Sequence, residues 1–131
     1  MSDDWKEGPS LRFSRTGHCS CVIQSYDETP DAIIVIGGVT SPGGLTTTTE
    51  IFKIREGQWI QGPPFPFKIS SAACVSLLPT MNFACVVVGR NKQYIEEWFS
   101  DVYGLNRSLT SWTHLGKIKK GRSCHIVLPL W

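Results

Sequence analysis

Apolar residues in this chain come in short bursts set apart by turn-forming residues, and no stretch keeps the helical spacing of three and four. Residues 18–25 are small and apolar, and residues 26–31 make a polar turn containing Pro30. Residues 32–36 are a continuous aliphatic run ending at Gly37 and Gly38, as in a strand buried on both faces. Residues 41–44 break the chain, and residues 46–54 are β-branched and alternating, which predicts a third strand. Arg55, Glu56 and Gly57 turn the chain into a strand around Trp59, ended by Gly62, Pro63 and Pro64. A second series follows: strands over 72–78 and 83–88, a loop at 90–93, a third strand near 97–103 and a fourth over 111–115. The pattern predicts an all-β chain.

The same order of elements is written twice, and tryptophans mark it. Trp5, Trp59 and Trp112 stand 54 and 53 residues apart. Arg15 and His18 follow Trp5 by ten and thirteen residues, and Arg122 and His125 follow Trp112 at the same offsets. In the middle copy Lys68 lies nine residues after Trp59, and Ala72 takes the histidine position. Gly37 and Gly38 are answered by Gly89 and Arg90, while Glu50, Ile51 and Phe52 are answered by Asp101, Val102 and Tyr103. Four kinds of feature keeping one period in one order argue for a repeated supersecondary unit stacked on its neighbour.

A repeat of about fifty residues with four strands, two glycines after the second and a tryptophan in the fourth resembles the kelch repeat. The matching residues are Arg15, His18, the run 33–38, Glu50, Ile51, Phe52 and Trp59. The second copy keeps 86–89, Asp101, Val102, Tyr103 and Trp112, but Arg90 replaces the second glycine and the third-to-fourth turn is longer. The resemblance covers nearly the whole chain. It implies a β-propeller in which each repeat is one four-stranded antiparallel blade, with the first strand nearest a central channel. On that reading residues 1–14 are the outer strand and linker of a preceding blade, 15–64 blade one, 65–116 blade two, and 117–131 the first strand of a following blade. Small residues on the first strands (Ser20, Ala72, Ala73, Ser123) suit a crowded inner ring. Each tryptophan would cover a neighbouring blade, a burial that contributes about 1.5–3 kcal/mol. Propellers usually close with four or more blades, so the expected ring is incomplete and leaves open edges and apolar faces. The remaining blades would come from a longer protein or from head-to-tail oligomerisation.

Composition narrows the classes further. A chain 41% hydrophobic and 18% charged is globular rather than disordered. A net charge of +2 is too small to argue for nucleic acid or an anionic membrane. No apolar run is long enough to cross a bilayer, and the acidic start at Asp3 and Asp4 shows no leader, which points to a cytoplasmic chain. The five cysteines are an odd number, which argues against a disulfide framework. Cys19 and Cys21 share one face of a strand, but a metal site would call for a second pair across a turn. They are expected to be small buried filler, with no metal and no cofactor.

Candidate chemistry is sparse. Gly37 and Gly38 do not lead into a helix, so they read as a tight strand exit rather than a phosphate loop. His18 and His125 recur at one repeat position, which favours a structural role, and His114 is expected on a solvated outer strand. Glu96 and Glu97 are sequence neighbours that point oppositely on a strand, as are Asp3 and Asp4, a poor geometry for acid–base work. An enzyme is therefore not expected. A meander puts the second-to-third loop and the connection between repeats on one rim, which collects Phe65, Phe67, Arg90, Asn91, Lys92, Lys117, Lys119 and Lys120. Aromatic residues and arginine anchor interfaces. Kelch adaptors grip peptide segments on this rim, so the resemblance implies a protein-binding scaffold, either recruiting substrates to a ubiquitin ligase or binding cytoskeleton. The family's alternative is a propeller enzyme acting on carbohydrate, of the copper-dependent sugar oxidase or sialic-acid isomerising kind.

Overall fold

The computed structural model describes residues 5–27, 29–41, 43–90 and 100–118. Among them the chain runs through β1 (Arg15–Thr16), β2 (Cys19–Gln24), β3 (Pro30–Ile36), β4 (Val39–Thr40), β5 (Gly44–Leu45), β6 (Thr49–Lys53), β7 (Gln58–Gln61), β8 (Ala73–Ser76), β9 (Phe83–Arg90), β10 (Ser100–Asn106) and β11 (Trp112–Ile118). The described residues are all β, in three antiparallel sheets that do not close on themselves. One four-stranded sheet has the order β2-β3-β6-β7, the other β8-β9-β10-β11, and a small sheet joins β1, β4 and β5. The alternation of β2 explains its place: Cys19, Cys21 and Ile23 are buried while Ser20 and Val22 are exposed. β3 has Ala32, Ile34, Val35 and Ile36 buried, because it is an inner strand of its sheet and the core covers it. Trp5 is fully exposed, and residues 5–11 form no strand.

Strand register measures the repeat directly. Phe52 pairs with Trp59, and Leu105 pairs with Trp112. Val35 pairs with Glu50, and Val87 pairs with Tyr103. Counted from the shared tryptophan, the counterpart of Glu50 is Tyr103 and that of Phe52 is Leu105. The sequence alignment of Glu50 and Phe52 with Asp101 and Tyr103 is thus corrected by two residues. A slip of two keeps each side chain on the same face, so the hydrophobic pattern alone did not expose it. By the same count Gly37 lies two residues beyond Val35, and Gly89 two beyond Val87.

The residue ten positions after each tryptophan is also corrected. Lys68, the basic residue expected in the middle copy, is exposed, whereas the adjacent Ile69 is buried. Ile69 lies ten after Trp59, as Arg15 lies ten after Trp5. Arg15 donates from Nη1 to the Gly37 carbonyl at 3.0 Å, and Ile69 lies so close to Gly89 that a Cβ there would sit 2.1 Å from its Cδ1. Two residues later each copy turns through positive φ, at Gly17 (69°) and Ser71 (55°). The buried acid and the buried base of the first copy are therefore both exchanged in the second, for Tyr103 and Ile69. Removing only one partner would leave an uncompensated buried charge, which is the costly alternative.

The Arg15 guanidinium is buried against Glu50, with Nη2 2.7 Å from Oε2. Its Nη1 also donates to the Thr48 carbonyl at 3.0 Å, and the Arg12 backbone N–H donates to Glu50 Oε1 at 2.6 Å. One cation thus ties together β1, the exit of β3 and the start of β6. Among the described residues its Nε has no hydrogen-bond partner.

The core lies between the two large sheets, with β2 and β8 approaching within 8 Å between Cα atoms. Ile23, Ala32, Ile34, Ile36 and Ile51 of the first sheet share one buried cluster with Ala84, Cys85, Val87 and Leu105 of the second, joined by Phe65 and Ile69 from the connection. That connection is bonded to the first sheet by Phe65 N–H to the Thr47 carbonyl (2.8 Å) and Gly38 N–H to the Ile69 carbonyl (2.7 Å). Gly37, at φ 65°, is more than a tight strand exit: a Cβ there would lie 2.5 Å from the Ile69 carbonyl oxygen.

Arg15→Ala is expected to destabilise the protein by about 3–5 kcal/mol because Glu50 stays buried and unpaired, while Arg15→Met with Glu50→Leu recovers most of that loss; urea unfolding of the three proteins measures it. Ile69→Ala is expected to cost about 2–5 kcal/mol in the same assay, since the wedge between the sheets is emptied.

Candidate functional site

The second-to-third loop of the first sheet and the connection between the large sheets meet at one end of the molecule, as the bonds from Gly38 and Phe65 show. The side chains expected on that rim divide sharply. Phe65 is 2% exposed, and this corrects its reading as an exposed anchor. Its ring packs edge-on against Phe67, Tyr103 and Trp112 with centroids 5.1, 5.2 and 5.0 Å away. The cause is the exchange just described: where the first sheet buries Glu50, the second presents a tyrosine ring, and Phe65 covers it. Phe67 is half-buried on the same tyrosine at 5.8 Å. Lys117 is exposed. Arg90 ends β9, and its side chain lies outside the described residues, as do Asn91, Lys92, Lys119 and Lys120. Arg122 and His125 of the repeat motif also lie outside them.

The other motif residues are structural in their contacts. Trp59 packs on Phe52 with centroids 5.2 Å apart and donates its indole N–H to the Pro9 carbonyl at 2.9 Å. Trp112 donates in the same way to the Pro63 carbonyl at 3.1 Å. These two acceptors are the ends of a motif that the sequence reading missed, a tryptophan followed three and four residues later by Gly8 and Pro9, then by Gly62 and Pro63. That signal was present in the sequence. His18 is exposed. His114, expected to be simply solvated, pairs through Nε2 with the buried Asp101 carboxylate at 3.0 Å.

A concave site exists at the opposite end, where it was not anticipated. A cavity of about 280 Å³ is lined by Tyr26 and Asp31 from the β2–β3 turn and its exit, Lys53 at the end of β6, Pro79 from the β8–β9 turn, and Arg107 and Leu109 from the β10–β11 turn. Both large sheets contribute, so the site depends on how they pack. Local hydrogen bonds hold the turns around it. Asp27 Oδ1 accepts from the hydroxyls of Ser25 and Thr29, and from the Thr29 N–H at 3.1 Å. Asn106 Oδ1 accepts from the N–H groups of Thr110 (2.7 Å) and Ser111 (3.1 Å), while Leu109 takes a φ of 60°. Arg107 donates to the carbonyls of Met81 (2.8 Å) and Leu78, clamping one turn to the next. Those acceptors are uncharged, so the guanidinium charge is not cancelled by them. Tyr26 is 85% exposed beside the cavity. The lining thus offers two cations, one carboxylate and an accessible aromatic ring.

Among the described residues no group of three or more histidine, cysteine or acidic side chains is arranged to hold a metal ion. No helix there is long and apolar enough to cross a membrane. Comparison with models of protein families finds no match, and comparison with curated proteins finds no similar sequence.

The Asp27 carboxyl is lowered to about 2, first by the Ser25 hydroxyl and then by Thr29. A carboxylate held below its ordinary value of about 3.9 favours the folded turn at neutral pH, and that contribution fades as pH falls through about 2. An NMR titration is expected to place Asp27 near 2. Ser25→Ala is expected to move it back upward.

Proposed function

We propose that the chain is a protein-binding module made of two kelch-type propeller blades, and that it holds a peptide segment in the cavity between Tyr26 and Arg107. The blade reading is supported by two four-stranded meanders whose first strands, β2 and β8, lie side by side while the tryptophan strands lie outermost. It is supported also by the indole N–H bonds that Trp59 and Trp112 make to proline carbonyls at one repeat position. On this reading further blades, from a longer chain or from other copies, complete the ring, and the chain works as an adaptor without a catalytic centre.

The observation that carries the binding proposal is that one cavity draws its lining from both sheets and combines Tyr26 with Lys53 and Arg107. Tyrosine gives large contact area at low entropic cost, and cations favour a partner bearing carboxylates. Such a peptide would set an apolar or aromatic side chain on Tyr26 and an acidic one near Lys53. The electrostatic part would weaken with salt.

Selection from a random peptide display library against the purified chain tests this. Enriched peptides are expected to carry an acidic residue near an apolar one, and Tyr26→Ala and Lys53→Ala are each expected to weaken them about tenfold, or about 1.4 kcal/mol. Unchanged affinity in both variants would remove the cavity from the proposal. Carbohydrate oxidation by the metal-supplemented chain would replace the scaffold reading.

A further inference from the structure

Four of the five cysteines meet where the two large sheets pack. Cys19 and Cys21 point from β2 into the shared core, Cys85 enters it from β9, and Cys74 of β8 packs against it half-buried. All four are free thiols. The Cys74 Sγ lies 3.0 Å from the carbonyl oxygen of Ser20, the residue between the two β2 cysteines. The Cys74 sulfur interacts with those of Cys19 and Cys21, and that of Cys21 with that of Cys85. This is a chain of sulfurs crossing from one sheet to the other. The sequence reading treated Cys19 and Cys21 as filler, and Cys74 is what alters that.

The three sulfurs nearest the crossing are not equivalent. Accepting from two thiols favours the Cys74 thiolate, while its bond to the Ser20 carbonyl and its burial favour the thiol. The two donors and the nearby His18 outweigh these, and Cys74 is held below the ordinary cysteine value. Cys19 and Cys21, as donors buried in apolar surroundings, are raised above it. One nucleophilic sulfur with two resolving sulfurs beside it is the arrangement of a thiol poised for oxidation.

We propose that Cys74 and one of its two β2 neighbours, Cys19 or Cys21, form a reversible dithiol–disulfide couple that covalently joins the two sheets when the protein meets a hydroperoxide. In the first step the Cys74 sulfur attacks the peroxide: an S–O bond forms, the O–O bond breaks, and water or an alcohol leaves. In the second, the neighbouring sulfur attacks the sulfenic acid: the S–S bond forms, the S–O bond breaks, and water leaves. The two thiols lose two electrons and two protons, and the peroxide is reduced by the same two electrons. β2 and β8 approach within 8 Å between Cα atoms, and a disulfide needs its two Cα atoms about 4.4–6.8 Å apart. The closed loop spans more than fifty residues, so the oxidised form is expected to unfold at a higher temperature.

Cys124 lies outside the described residues, so the test uses the full chain carrying Cys124→Ser. Treatment with hydrogen peroxide is expected to lower the free thiols from four to two, and to link the tryptic peptides 16–53 and 69–90. Cys85→Ser should leave the link in place, and Cys74→Ser should abolish it. Four unchanged thiols, a link that survives Cys74→Ser, or one that forms only between separate molecules would overturn the proposal. Should Cys74→Ser fail to fold, fragmentation of the linked peptides from the parent protein decides the matter: a bridge at Cys74 is expected, and one at Cys85 would overturn the proposal.

Discussion

Two sheets can hold one fixed spacing only if what lies between them is apolar and fits, and here Ile69 sets that spacing. Its side chain touches Gly89 of the second sheet, and its carbonyl oxygen lies against Gly37 of the first. Gly37 follows β3 and Gly89 lies near the end of β9, and the lack of a Cβ at each leaves the room that the wedge needs. The Gly38 N–H bond to the Ile69 carbonyl adds direction to that contact. Four residues earlier the same connection places Phe65 over Tyr103 and Trp112.

The same position in the first copy is held by Arg15, and the contrast shows two solutions to one packing problem. A guanidinium there needs acceptors, which Glu50, Thr48 and the Gly37 carbonyl supply. An isoleucine needs none, and the acidic position opposite becomes Tyr103. The charged solution binds local segments together, whereas the apolar one can face a second sheet. A buried pair is weak evidence for stability but fixes geometry closely, because few arrangements satisfy every acceptor. That places the charged version around β1, where the chain has little regular structure, and the apolar version between the two sheets.

The packing of the sheets also creates the chemistry. Because β2 lies beside β8, the thiols of Cys19 and Cys21 reach Cys74, and because the turns at the far end align, Tyr26, Lys53 and Arg107 share one cavity. A covalent link at the first would hold fixed the relation of sheets on which the second depends.

Much of the fold was legible in residue order. Alternation and β-branching gave the strands, glycine and proline gave the turns, and the tryptophan period gave the doubling. All of these act over a few neighbouring residues, so they leave a mark in the sequence. The chemistry of the repeat was less legible. The period predicts a base at Lys68 and an acid at Asp101, yet Ile69 and Tyr103 hold those places, because a position can keep its place while its partners change character together. The burial of Phe65, the convergence of Cys74 with Cys19 and Cys21, and the cavity beside Tyr26 were settled only by tertiary structure. Each depends on residues from separate sheets brought into contact, and such a contact has no local period by which it could announce itself.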